Sequence, residues 1–190
     1  MKTNPRCGSA AFSLVELLTV IAIMVILAAL TVSGLSFVQD YQARKKAQIQ
    51  IHLLSKAIED YKLDNGSYPA TTDLATTGSS VTLGSGNSKI LFKALYNDGA
   101  NDATGAKKIY ISELDPASNK QGWTTGTASD STNITDPWGN EYIYRTAFDS
   151  TSSPNTHTRN PDFDLWSCGK DGKTSDTASD AVARDDIWNK

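Results

Sequence analysis

The stretch from Leu17 to Leu30, LLTVIAIMVILAAL, contains no charged residue, proline or glycine. With its flanks it reaches the roughly 20 residues that a helix needs to cross the hydrocarbon core of a bilayer. A single segment can satisfy its backbone hydrogen bonds in lipid only as a helix. We therefore predict a transmembrane helix at about residues 14–34. A secretory signal peptide has a shorter apolar core and a cleavage site after it, so a retained anchor fits better.

One acidic residue, Glu16, lies near the start of this apolar run and is the fifth residue counted from Phe12. An ionised carboxylate in hydrocarbon costs at least a few kcal/mol unless it is paired. No other residue inside the run carries a charge that could pair with it. Two interpretations follow: Glu16 is solvated at the headgroup level, or it pairs with a positive group on another chain.

The remaining composition excludes several classes of protein. The net charge of -3 gives no basic field for nucleic acid, and 190 residues are too few for a large multidomain enzyme. Two cysteines, Cys7 and Cys168, allow one disulfide at most. No nucleophile elbow, phosphate loop or metalloprotease motif is present. We expect a protein that is not an enzyme.

The helix is predicted to continue beyond the apolar run as an amphipathic helix. Apolar residues recur at spacings of three and four, which marks one helix face: Ala47, Ile51, Leu54, Ile58 and Tyr61. Gly66 and Pro69 then stop the helix. We predict an N-terminal helix over residues 12–63 and a globular head over residues 64–190, with the apolar face packed against the head.

The head is predicted to contain one short helix and three antiparallel strands. The helix runs from a capping Ser88 to Tyr96 and ends at 97–99. Alternation predicts strands at Lys108–Leu114, in EYIYRTAF (141–148) and in FDLWSC (163–168). Asp136-Pro-Trp-Gly-Asn140 reads as a turn, and residues 70–88 and 115–135 as loops. The fold class is α+β, a long helix packed on a small antiparallel sheet.

Four segments resemble the type IV pilin-like family, and most closely the major pseudopilins of type II secretion. The segment AFSLVELLTVIAIMVILAAL is similar to the class III signal of that family. YKLDNGSYP (61–69) resembles the segment that ends the family's long helix. DPWGN (136–140) and GKDG (169–172) with DDI (185–187) resemble motifs of its head. The resemblance implies a pilin-like fold.

The resemblance also implies processing at the N-terminus. A prepilin peptidase would cut between Ala11 and Phe12, remove a leader of residues 1–11, and leave Phe12 as an N-methylated first residue. Glu16 would then be the family's fifth-position glutamate, which pairs with the N-terminal amine of a neighbouring subunit during assembly. The family usually has glycine where this chain has Ala11. Cleavage would leave Cys168 as the single cysteine of the mature chain.

Acidic residues crowd the C-terminal segment: Asp162, Asp164, Asp171, Asp176, Asp180, Asp185 and Asp186. Their spacing alone fits a solvated loop or a calcium site, since calcium takes six to eight oxygen ligands. The resemblance implies one structural calcium ion, held by Asp171, Asp185 and Asp186 with backbone carbonyls. The loop between them is longer than usual for the family, and Asp176 or Asp180 could substitute for a ligand. Trp188 stands where the family has glycine.

The function implied by the resemblance is that of a structural pseudopilus subunit. Copies would polymerise through the N-terminal helix into a fibre that drives protein export across the outer membrane. Implied partners are other copies, minor pseudopilins, the inner-membrane assembly platform and the prepilin peptidase. The chain would start in the inner membrane as a single-pass protein with a periplasmic head. Alternatives are a type IV pilin for adhesion, motility or DNA uptake, and a membrane-anchored, calcium-dependent binding domain.

Overall fold

The computed structural model describes residues 12–69, 87–119, 121–124, 127–129, 132–148, 154–155, 158–175 and 183–189, without the side chains of 32–36. The chain divides into two compact units, Met1–Tyr41 and Gln42–Lys190. We call the second the globular unit. The predicted leader, including Ala11, and the candidate ligands Asp176 and Asp180 lie outside the described residues.

Helix α1 spans Leu14–Asn65. It ends because Gly66 adopts a left-handed backbone (φ 78°) and donates its amide to the Lys62 carbonyl at 2.7 Å. The helix therefore stops two residues beyond the predicted residue 63. Within the globular unit, four apolar residues of the predicted face, Ala47, Ile51, Leu54 and Ile58, are buried, and Tyr61 is partly buried against the same core.

The three-stranded antiparallel sheet has the order β1-β2-β3, with β1 at Ile143–Thr146, β2 at Phe163–Ser167 and β3 at Ile187–Trp188. Ile143 pairs with Trp166, and Trp166 pairs in turn with Trp188. The long helix, the small sheet and their shared core confirm the predicted α+β fold class.

The predicted strand at Lys108–Leu114 is wrong. Residues 108–111 are irregular, and Ser112–Leu114 forms a 3-10 helix. The amides of Tyr110 and Ile111 donate to the carbonyl of Leu95, at 2.9 and 3.3 Å, so this segment docks on a helical turn instead of a sheet. The third strand is β3, whose two residues are too few to show an alternating pattern.

The short helix of the head exists but is longer than predicted. It comprises α2 (Ser88–Phe92), a π-helical turn (Lys93–Asn97) and α3 (Asp98–Ala100). The predicted Ser88 cap is wrong, because Asn87 occupies the N-cap position and makes no side-chain cap hydrogen bond. The Ser88 hydroxyl instead donates to Glu141 Oε1 at 2.9 Å and accepts from the Ile134 amide at 3.0 Å.

The predicted turn at 136–140 is organised by its own aspartate. Asp136 Oδ1 accepts hydrogen bonds from the amides of Trp138 (3.0 Å) and Asn140 (2.8 Å), and Oδ2 accepts from the Ser167 hydroxyl at 2.6 Å. Gly139 has a φ of 91°, which favours glycine at this position. The turn thereby ties β1 to the end of β2, next to the predicted calcium ligands.

Candidate assembly and metal sites

The first candidate site is the N-terminal end of α1. Phe12 precedes the helix and is 85% exposed. Glu16 lies in the first turn, and its Oε2 accepts a hydrogen bond from the Ser13 amide at 2.9 Å. This is one half of a capping box, in which a carboxylate satisfies an otherwise unpaired amide at the helix start. The Glu16 carboxylate therefore faces the end of the helix where cleavage before Phe12 would create an amine.

The helix that follows is apolar and exposed. The window Leu14–Thr31 is the one helical segment among the described residues with the length and composition to cross a membrane, and none of it is buried. Large side chains such as Ile21, Val25 and Leu27 are each more than half exposed. In water this surface would be strongly unfavourable, at roughly 25 cal/mol for each square ångström. It requires lipid or other apolar helices around it.

The second candidate site is the turn after β2, where two of the three predicted calcium ligands meet. The Asp171 amide donates to Asp185 Oδ2 at 3.2 Å, and Asp171 Oδ1 accepts from the Lys173 amide at 2.8 Å. Gly169, with a φ of 66°, makes this approach possible. A Cβ there would lie 2.5 Å from Asp185 Oδ2, so only glycine fits.

The third predicted ligand, Asp186, is oriented differently. Its Oδ2 accepts from the Thr174 hydroxyl at 2.6 Å, and its Oδ1 is buried without a hydrogen-bond partner. Burial raises the pKa of Asp186 to about 6, and the neighbouring carboxylates of Asp185 and Asp171 add to the shift. A hard cation bound here would pair with Asp186 Oδ1 and would reduce the repulsion among the neighbouring carboxylates.

Cys168 adjoins this acidic turn. It is a free, fully buried thiol. Burial raises its pKa to about 12, and four nearby carboxylates, those of Asp136, Asp171, Asp185 and Asp186, act in the same direction. A thiol held in its neutral form is a poor nucleophile. Cys168 instead packs as a small buried residue with Ile143 and Trp166.

Oxygen donors are thus concentrated around residues 168–172 and 185–186, and their chemistry fits calcium. The ligands are not fully assembled, however. Within the described ranges no three carboxylate, thiolate or imidazole groups converge as a preformed metal site. The Asp185 carboxylate contacts the backbone amide of Asp171, and Asp186 lies close enough for the charge of both carboxylates to affect its pKa.

An aromatic and cationic stack, which the sequence did not predict, holds β3 in place. The rings of Trp166 and Trp188 are parallel within 9°, with centroids 4.2 Å apart. The guanidinium of Arg159 lies 3.6 Å from the centroid of Trp188, and that of Arg145 lies 5.1 Å from that of Trp166. The stack fixes the strand that immediately follows Asp185 and Asp186.

A fully buried ion pair underlies this stack. Arg145 and Asp164 face each other in the register of β1 and β2, and their side chains are 1% and 0% exposed. Asp164 Oδ2 accepts from the Arg145 guanidinium at 3.2 Å and from the Arg159 amide at 2.8 Å, and Oδ1 accepts from the Asn160 amide at 2.9 Å. The sequence contained one signal for this ion pair, because the predicted strand at 141–148 contains Arg145 and the predicted strand at 163–168 contains the oppositely charged Asp164.

Comparisons with known proteins agree with this architecture. The family model "Type II secretion system (T2SS), protein G" matches residues 37–78 and 97–186, more than half of the chain. The chain belongs to this family. The type II secretion system core protein G of Pseudomonas aeruginosa is 30% identical over 93% of this chain and 94% of its own length.

Two further relatives carry the same name. The core protein G of Escherichia coli is 30% identical over 94% of this chain and 88% of its own length. The Klebsiella michiganensis protein is 42% identical, but the match spans 35% of this chain and 46% of that protein. The family assignment confirms the resemblance to the pseudopilins, whereas the roles of Phe12, Glu16 and the aspartates stay predictions.

Proposed function

We propose that the protein is a structural subunit of the type II secretion pseudopilus, polymerising through α1 into a fibre that drives protein export across the outer membrane. The observation that carries this is the apolar first half of α1. In the monomer none of the Leu14–Thr31 window is buried, and it belongs to a chain of the protein G family. Its role is mechanical: apolar helices bundle into the fibre core and globular units cover the outside.

Processing before Phe12 is part of this proposal. A prepilin peptidase cuts between Ala11 and Phe12, and Phe12 becomes the N-methylated first residue. The position supports this, because Phe12 is exposed and lies two residues before α1 begins. A cut there leaves the whole apolar segment in the mature subunit.

Glu16 is proposed to pair with the N-terminal amine of a neighbouring subunit. Its carboxylate already accepts a hydrogen bond from Ser13 at the helix start, so it is oriented toward the end of the chain. A charged pair in an apolar fibre core compensates the cost that each charge would carry alone. The pairing would set the axial register of each incoming subunit.

The proposal places the chain in the inner membrane as a single-pass protein with its globular unit in the periplasm, and later in the periplasmic fibre. Partners would be other copies, minor pseudopilins and the inner-membrane assembly platform. The apolar Leu14–Thr31 window and the family assignment support membrane anchoring and assembly with other pseudopilins.

A structural calcium ion is proposed at the acidic turn, with Asp171, Asp185 and Asp186 as the carboxylate ligands. The ion would neutralise like charge that the turn concentrates around Cys168. It would also provide a partner for the buried Asp186 Oδ1. Chelation with EGTA should lower the melting temperature of the purified protein, and Asp171→Asn should reduce that difference. Equal melting temperatures with and without calcium would refute the site.

Fibre assembly tests the main proposal. Wild-type protein, expressed with a type II secretion system, should be recovered in sheared fibres and begin at Phe12 by mass spectrometry. Glu16→Lys should abolish the fibres while the protein remains in the membrane fraction, and Glu16→Gln should be the milder matched control. Wild-type protein that keeps residues 1–11 beside an active prepilin peptidase would contradict the proposal, as would normal fibres from Glu16→Lys.

A further inference from the structure

Charge is divided unevenly along the globular unit. Residues 42–57, the first part of α1 in this unit, contain Arg44, Lys45, Lys46 and Lys56 and no acidic residue. Residues 58–190 contain 12 basic and 19 acidic residues. A fibre of identical copies can place the basic segment of one copy against the acidic part of the next, because such a head-to-tail interface need not be symmetric.

Part of this basic segment forms a mixed apolar and basic surface, which we call the helix face. It consists of Lys45, Ile49, Leu53 and Lys56, whose spacings of four, four and three place them on one side of α1. All four are exposed, and Ile49 is 61% exposed. Ala47, Ile51, Leu54 and Ile58, by contrast, are buried in the core. The helix face is therefore not used by the chain's own core.

Residues 98–115, which we call the acidic surface, carry four acidic and two basic side chains. Ile109 is 42% exposed there. The two neighbouring lysines are already neutralised, since Lys107 pairs with Asp98 at 3.2 Å and Lys108 pairs with Asp64 at 2.9 Å. No ion pair within the described part of the chain involves the remaining carboxylates of this surface: Asp102, Glu113 and Asp115.

The acidic surface is also held in a fixed shape. A Cβ on Gly99 would lie 2.8 Å from the backbone of Lys108, so the two segments are in close contact. The amides of Tyr110 and Ile111 donate to the Leu95 carbonyl. A preformed surface loses little conformational entropy when a partner binds.

The apolar residues of the two surfaces, Ile49 and Ile109, lie apart within one chain. The Lys108–Asp64 contact places Lys108 and its neighbour Ile109 at the C-terminal end of α1. Ile49 lies 15 residues before Asp64 on the same helix, a separation of about 22 Å at 1.5 Å per residue.

We propose that the helix face of one copy docks on the acidic surface of a second copy in the fibre, with Ile49 and Leu53 against Ile109 and the lysines beside the carboxylates that make no ion pair within the described part of the chain. The inference rests on the proposed fibre function, because the second copy must be brought into register by assembly. It names an interface outside the apolar fibre core.

Disulfide capture tests the contact directly. One copy carries Ile49→Cys and the other carries Ile109→Cys, and the two are co-expressed in full-length form with differently sized tags. Oxidation should yield the mixed-tag dimer in fibres, and a double Ile49→Cys/Ile109→Cys chain should yield a ladder. Each single variant alone should give neither, since the native Cys168 is buried. Fibres that assemble without the mixed dimer would overturn the interface while leaving the fibre function intact.

Charge reversal provides the second test. Lys45→Glu/Lys56→Glu and Glu113→Lys/Asp115→Lys should each lower fibre yield by about tenfold, because like charges would then face each other across the interface. Mixing the two variants should restore the yield. Lys89→Glu/Lys93→Glu, on the exposed side of α2 and the turn after it, is the matched control and should leave it unchanged. Charge-reversal variants that form fibres at the wild-type yield would overturn the interface, and wild-type protein that forms no fibres would overturn both proposals.

Discussion

The two halves of α1 have opposite relations to their surroundings. In the first unit, large apolar residues from Leu14 to Leu30 are half or more exposed, whereas Ala47, Leu54 and Ile58 in the globular unit are fully buried. The same regular helix thus carries one apolar surface that the chain's own core covers and one apolar surface that stays exposed. The difference indicates that the globular unit contains its own core, while the apolar half needs lipid or other copies.

The largest expected effect tests whether the core of the globular unit is self-sufficient. Arg145→Ala leaves the buried Asp164 carboxylate without its cation. Breaking a buried pair from one side typically costs about 3–5 kcal/mol. We expect that loss in the free energy of unfolding, measured by chemical denaturation of the detergent-solubilised protein with near-UV circular dichroism. Arg184→Ala, at an exposed position, is the matched control.

Membrane association should be unchanged in Arg145→Ala, because the altered pair lies in the globular unit. A variant as stable as the wild type would show that the pair contributes nothing to the fold. A variant that also leaves the membrane fraction would show that the two units depend on each other.

Two identical substitutions on α1 test the comparison itself. Leu54 is fully buried, whereas Leu27 is 57% exposed. Leu54→Ala should lower the free energy of unfolding by about 2–4 kcal/mol through the lost burial and the cavity. Leu27→Ala should leave it unchanged. The same chemical denaturation measurement is made on both variants. Equal losses in the free energy of unfolding would contradict the division of α1 into a half that the core covers and a half that it does not.

Both halves of α1 could be predicted from the sequence, whereas residues 108–114 of the globular unit could not. The apolar run and the spacing of Ala47, Ile51, Leu54 and Ile58 predicted both parts of α1, because local periodicity records which side of a helix is buried. The segment 108–114 alternates like a strand but docks on Leu95. Local pattern could not show this, since the competing acceptor is distant in the sequence.

The candidate metal site was predicted only in part. Resemblance selected Asp171, Asp185 and Asp186, and the structure brings Asp171 and Asp185 together while Asp186 turns toward Thr174. The stack of Trp166 and Trp188 was missed because it depends on the pairing of two-residue β3 with β2. Such a pairing leaves no periodic signal in the sequence.

A smaller effect is expected at this stack, which fixes the C-terminal strand of the globular unit. Trp188→Ala removes the ring between Trp166 and the Arg159 guanidinium. Lost stacking and cation-π contact should cost about 1–2 kcal/mol. Part of β3 should stay in place because the Asn189 amide still donates to the Leu165 carbonyl at 2.8 Å.

Thermal denaturation in EGTA measures the stack without any contribution from calcium. Trp188→Phe, which retains an aromatic ring, should recover part of the loss. Identical melting temperatures for Trp188→Ala and the wild type would show that the stack does not stabilise the strand.

The smallest effect is expected at Asp102, on the exterior of the globular unit. Hydrogen bonds from the Thr104 hydroxyl and the amides of Thr104 and Lys107 lower its pKa to about 2, from an ordinary value of 3.8. The folded state therefore favours the ionised form. The resulting stabilisation is present above pH 4 and is lost as the pH falls through 2.

Asp102→Asn should consequently be slightly less stable than the wild type at pH 6, and the gap should close as the pH is lowered toward 2. Thermal denaturation curves of both proteins at several pH values measure the difference between their melting temperatures. Every other titrating group is the same in the two proteins, so its contribution cancels in that difference. This substitution should not change membrane association. A gap that widens on acidification would mean that the hydrogen bonds of Asp102 favour its protonated form, contrary to the geometry of three donors around one carboxylate.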